Sequence, residues 1–147
     1  ERGWQVTFLP VWEKDLPYIK QAASQLKKPV EIFSDYLSID KVFSFLEQCD
    51  VFVGEKLHSV ILAMAAYTPS VMLEYRPKCA DFMASMDLSE FNMRTDQLNL
   101  DVVIGLVEKL YAGIDGYQDH IASRVKKYKQ LQFEKSRWLL KKIRNEN

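Results

Sequence analysis

Residues 49–78 read CDVFVGEKLHSVILAMAAYTPSVMLEYRPK, and the fold turns on how they are read. The run at 50–54 is short, apolar and ended by Gly54, which is the pattern of a buried strand. Residues 57–67 are apolar nearly all round, which predicts a helix that is buried rather than amphipathic. Its alanines, Ala63, Ala65 and Ala66, would let it lie close against a sheet. Thr68 and Pro69 turn the chain, and 70–75 reads as the next strand. Two strands joined through a helix are expected to run parallel.

The same alternation continues on both sides. Upstream, 5–12 is rich in β-branched and aromatic residues and reads as a strand. Residues 15–28 place Leu16, Ile19, Ala23 and Leu26 at helical spacing, with Pro17 tolerable only in the first turn. A short strand at 30–34 precedes a helix at 38–49, with Ser38 as N-cap and Val42, Phe45, Leu46 and Cys49 on one face. Downstream, Pro77 opens a helix over 77–86, 91–95 forms a short fifth strand, and 99–113 is another helix. Residues 115–147 read as one long helix with Ile121, Val125, Tyr128, Leu131 and Leu139 on its apolar side. Strands too apolar for a wet face, alternating with helices, define an α/β fold: a Rossmann-like parallel sheet flanked by helices, with a long C-terminal helix.

Composition narrows the function classes. An apolar fraction of 48% and a charged fraction of 27% over 147 residues are those of an ordinary globular domain. No run approaches the roughly 20 apolar residues of a membrane span. The opening residues have no basic segment followed by an apolar one, so no secretory leader is read. An initiator methionine is also lacking, which makes a fragment or a processed product the expectation. Cys49 and Cys79 lack CxxC or zinc-type spacing and read as reduced thiols of a cytosolic protein. With His58 and His120 the sole histidines, no metal site is expected. The zero net charge hides an asymmetry. Residues 1–116 carry 11 Lys and Arg against 17 Asp and Glu, whereas 117–147 carry 9 against 3. Such a basic tail is either a solvated helix face or a nucleic-acid contact. Neither a GxGxxG turn nor a phosphate-binding GK[ST] loop occurs.

Open parallel sheets bind ligands beyond the carboxyl ends of their strands. That rule selects residues 10–13, 34–36, 54–59 and 74–78. The third of these opens a helix, whose first amides are free and carry about half a positive charge. Lys56, His58 and Ser59 at that position, with Lys78 after the neighbouring strand, would suit a small, multiply charged anion. A lone histidine beside a buried helix is more often a structural residue. Tyr75 reads equally well as core packing, and His120, in a polar helical stretch, reads as exposed.

The stretch resembles the C-terminal half of the polysaccharide pyruvyl transferases. The family pattern has an Asp, an apolar strand, Gly, a variable residue, a basic residue, Leu, His and often Ser. A small-residue helix, Pro, a strand, Tyr, two residues and Lys follow. Asp50, Gly54, Lys56, Leu57, His58, Ser59, Pro69, Tyr75 and Lys78 match it. The resemblance is strong over 49–90, loose over 5–48 and uninformative beyond about 115. Two positions depart: Lys56 stands where Arg is usual, and Arg76 where Asp is common. Lysine keeps the charge but loses the bidentate fork of arginine.

The resemblance implies an enzyme that moves the enolpyruvyl unit of phosphoenolpyruvate onto a sugar as a pyruvate ketal, in cell-surface or exopolysaccharide synthesis. It needs no cofactor. Its fold would be the two-domain type B glycosyltransferase arrangement (GT-B). Residues 1–115 would be the donor-binding C-terminal half, and 116–147 a helix packing towards an N-terminal half of the same enzyme. The 147 residues alone are then expected to be inactive. His58 would be the catalytic acid, since histidine can exchange a proton near neutral pH, or an electrostatic clamp on the anion. Lys56, Leu57, Ser59, Tyr75 and Lys78 would bind substrate. The expected partners are phosphoenolpyruvate and a glycan or lipid-linked sugar, at the cytoplasmic face of a membrane, with no nucleic acid. The alternatives are a nucleotide-sugar glycosyltransferase, for which Glu74 is a weak candidate to grip a ribose, and a non-catalytic interaction module.

Overall fold

Proline, glycine and the apolar runs punctuate the folded chain largely where the sequence places them. The computed structural model describes residues 3–145, and among these it has five strands and six α-helices. Residues up to Phe45 form one compact unit and Leu46 onward another.

In the first unit, β1 (Thr7–Phe8) pairs in parallel with β2 (Glu31–Ile32), Thr7 opposite Glu31. Helix α1 (Leu16–Ser24) connects them, with Pro17 in its first turn, where a missing N–H costs no helical bond. The 5–12 run is therefore strand over two residues only. Pro10, fully buried, cannot donate to a ladder. Helix α2 (Ile39–Leu46) follows Ser38, whose Oγ accepts a long bond of 3.5 Å from the Lys41 amide, as an N-cap does. The Phe45 ring on α2 stacks on Phe33 with centroids 4.5 Å apart.

The second unit contains β3 (Phe52–Gly54), α3 (Leu57–Ala65), β4 (Ser70–Glu74), α4 (Pro77–Ser85), β5 (Asn92–Arg94) and α5 (Leu100–Ala112), then α6 (Ile114–Asn145). The strands lie in the order β3-β4-β5, all parallel, with Gly54 opposite Met72 and Glu74 opposite Arg94. Val71 and Met72 are successive, so they point to opposite faces of β4, and both are fully buried. The sheet is thus covered on both sides, as parallel sheets are. Thr68 and Ser70, polar and buried, are satisfied locally: Thr68 Oγ1 donates to the Leu46 carbonyl at 2.6 Å and Ser70 Oγ to the Thr68 carbonyl at 2.9 Å.

Three expectations need correction. The five strands form two parallel sheets rather than one. Helix α3 is not buried all round. Val60, Ala63 and Met64 are in the core, but His58 and Ile61 are exposed. His120 is half-buried rather than exposed, and its Nε2–H donates to the Met86 carbonyl at 2.8 Å. The predicted last helix is confirmed as α6, and its final residues Glu146 and Asn147 lie outside the described residues.

The reason for the His120 contact is the end of α4. A helix leaves its last carbonyls without intrahelical partners. The first half of α6 supplies them: besides His120, Tyr128 Oη donates to the Ser85 carbonyl at 2.7 Å, and Arg124 Nη2 donates to the same oxygen. Arg124 Nη1 also pairs with Asp87 at 2.8 Å. Asp87 has φ +57°, the left-handed turn that ends a helix and that aspartate tolerates better than most residues.

Candidate functional site

The start of α3 is set by a glycine. Gly54 ends β3 and is buried, and a Cβ there would come 2.5 Å from the Phe52 ring, 2.8 Å from Val60 Cγ2 and 3.0 Å from Ser59 Oγ. The strand end and the helix start therefore approach closer than any side chain permits. Lys56 is the N-cap, in extended conformation, and no side chain caps the helix. The helix bonds begin with the amides of Ser59 and Val60, which both donate to the Lys56 carbonyl. The amides of Leu57 and His58 precede them and point out of the first turn, at the positive end of the helix dipole.

One strand over, the same edge repeats the arrangement. β4 ends at Glu74, and α4 opens at Pro77 with Arg76 as an extended N-cap, again without a side-chain cap. Because β3 and β4 are parallel neighbours, both helix starts lie at the carboxyl edge of the sheet. The six candidates divide there. Lys56 and His58 stand on the first turn of α3, His58 exposed and Lys56 partly covered. Leu57 packs against the core. Ser59 is 4% exposed, and its hydroxyl donates to the Lys56 carbonyl at 2.7 Å, so it braces the helix start. Tyr75, 41% exposed, is not core packing. The Lys78 ammonium lies 5.6 Å from its ring centroid, a cation–π contact that holds the lysine on this edge.

Arg76 is the residue that reading the family pattern underweighted. It is exposed at the α4 N-cap, and its signal was its position within residues 74–78. Two further groups at this edge are already engaged. Glu74 accepts from Asn92 Nδ2 at 2.5 Å, and its carbonyl accepts from Thr95 Oγ1 at 3.0 Å. Arg94 makes two bonds with Asp96, at 2.9 and 2.6 Å, which hold the Asp96 carboxyl below the usual carboxylate range and raise the guanidinium further. Lys56 stands on the α3 start, and Arg76 and Lys78 on the α4 start. A surface depression lined by Tyr67, Ser123, Lys126 and Lys129 lies at the opposite end of α3 and includes none of the six candidates.

The chain belongs to the polysaccharide pyruvyl transferase family, a transferase family whose model matches residues 1–77, just over half of the sequence. The matched region takes in the whole first unit, where the resemblance reads as loose, and the junction from Gly54 to Ser59 and Tyr75. It ends one residue before Lys78. No curated protein and no solved structure matches significantly.

Proposed function

We propose that this chain is the donor-binding part of an enzyme that transfers the pyruvyl unit of phosphoenolpyruvate to two hydroxyls of a sugar as a ketal. The observation that carries the reading is the junction after β3. There a family-matched segment places Lys56 and His58 on an uncapped helix start, at the edge where parallel sheets bind ligands. Phosphoenolpyruvate presents a carboxylate and a phosphate. The Leu57 and His58 amides and the Lys56 ammonium suit one of these groups, and Lys78, steadied by Tyr75, suits the other.

The reaction adds a proton to the methylene carbon, joins sugar oxygens to the neighbouring carbon and expels phosphate. His58 is exposed on the first turn of α3, which supports its role as the group that delivers that proton, while the cations offset charge on the departing phosphate. Ser59 acts through the backbone, by holding the Lys56 carbonyl. The GT-B arrangement, with a second Rossmann-like half closing over this edge, belongs to the same proposal, as does an exopolysaccharide or cell-wall glycan as acceptor.

The test is turnover by the intact enzyme. Phosphoenolpyruvate and a glycan acceptor should yield inorganic phosphate and an acid-labile ketal together. His58→Ala should lower the rate about 10²- to 10⁴-fold, as loss of a general acid does, with an unchanged melting temperature because the side chain is exposed. Consumption of a nucleotide sugar without phosphate release from phosphoenolpyruvate would reject the assignment.

A further inference from the structure

The second half of α6 leaves the body of the unit. Ile121 is fully buried, yet every residue from Lys126 to Arg144 is exposed, including Phe133 at 65% and Trp138 at 60%. From residue 129 this is a free rod about 24 Å long. Residues 126–144 hold eight Lys and Arg against one acid, Glu134.

The two kinds of side chain are sorted around the rod. At 100° per residue, Lys126, Lys127, Gln130, Glu134, Arg137, Lys141 and Arg144 fall within an arc of about 100° that has no apolar member. The remaining arc holds Leu131, Phe133, Trp138, Leu139, Leu140 and Ile143, with Lys129, Lys135, Lys142, Gln132 and Ser136 among them, and Tyr128, whose hydroxyl bonds back to the end of α4. A partner for this surface must be apolar in depth and anionic at its rim. Nucleic acid would satisfy the cations and leave six large apolar side chains in water. A bilayer bearing anionic headgroups meets both demands in one plane, since lysine and arginine stems lie along apolar surface while their charges reach the headgroups.

We infer that the overhanging half of α6 is an interfacial anchor that lays its apolar arc into the surface of an anionic lipid membrane. It lies on the membrane and does not cross it: among the described residues no helix is long and apolar enough to span. The anchor stands apart from the donor chemistry above, because vesicle binding reads no turnover and either reading can fail alone.

The experiment is flotation of the full chain with phosphatidylcholine vesicles, with and without phosphatidylglycerol. Binding to the anionic vesicles should be at least about tenfold tighter and should weaken steeply with salt. Tryptophan emission should shift to the blue on binding, and Trp138→Phe should remove most of that shift, which separates it from Trp4 and Trp12. The exposed pair Arg137→Glu and Lys141→Glu should weaken vesicle binding about tenfold or more without changing the melting temperature. Equal binding to both vesicle types, or no effect of the charge reversals, overturns the anchor. So does a dimer that Leu131→Ser and Leu139→Ser dissociate while vesicles do not bind, or tighter binding to duplex nucleic acid than to vesicles of equal phosphate content.

Discussion

Gly54 decides more than any charged residue at the site. It has no unusual φ; its role is space, because Phe52, Val60 and Ser59 close on it. The Phe52 ring can shift, but Val60 is fully buried and cannot. Gly54→Ala should therefore cost about 1–3 kcal/mol, the range for overpacking a core. It should also push the α3 start off the sheet edge, so that donor binding falls further than stability does. Chemical denaturation and a donor isotherm on the same protein check this; an unchanged midpoint would show that the junction has slack. The role of Gly54 was legible as a strand end and not as a close approach, since closeness depends on which Val60 rotamer the core selects. Ser59 shows the same limit. Its place beside His58 suggests a ligand contact, whereas its burial and its bond to the Lys56 carbonyl make it a brace.

At the scale of elements, periodicity located all six helices, because long stretches average over local ambiguity. Strands were located but overlong: 5–12 shrank to Thr7–Phe8 once Pro10 ended the ladder. The burial of α3 was overestimated because an apolar composition does not say how many neighbours a helix has. The docking of α6 on α4 was not legible at all, since it joins residues 34 to 43 positions apart through carbonyls that carry no sequence signal. That docking makes a sharp prediction. Arg124 is four-fifths buried and serves Asp87 and the Ser85 carbonyl together. Arg124→Ala should destabilise the protein by about 1.5–3 kcal/mol, the value of bonds to a charged donor. Amides at the end of α4 should lose hydrogen-exchange protection before those of the sheet. Uniform loss of protection would mean that α6 does not cap α4 in this way.

At the scale of the molecule, the α/β class was readable from thirty residues, because a buried strand, a glycine junction and a helix start follow one another there, whereas the family was readable only through the resemblance of that stretch to a known pattern. The division of the strands into two sheets was not, as strand pairing is set by packing and not by pattern. The charge asymmetry was visible in the sequence, but its placement on a free rod was not. The account rests on one claim: the α3 start holds an anionic donor. The most direct measurement is an amide chemical-shift titration of the full-length protein with phosphoenolpyruvate. The largest shifts should fall on the Leu57 and His58 amides, with smaller ones at Lys78, and Lys56→Ala should weaken the titration about tenfold, the loss of one charge-assisted contact. Saturating donor that leaves Leu57 and His58 unmoved, or that moves only residues at the other end of α3, would contradict it.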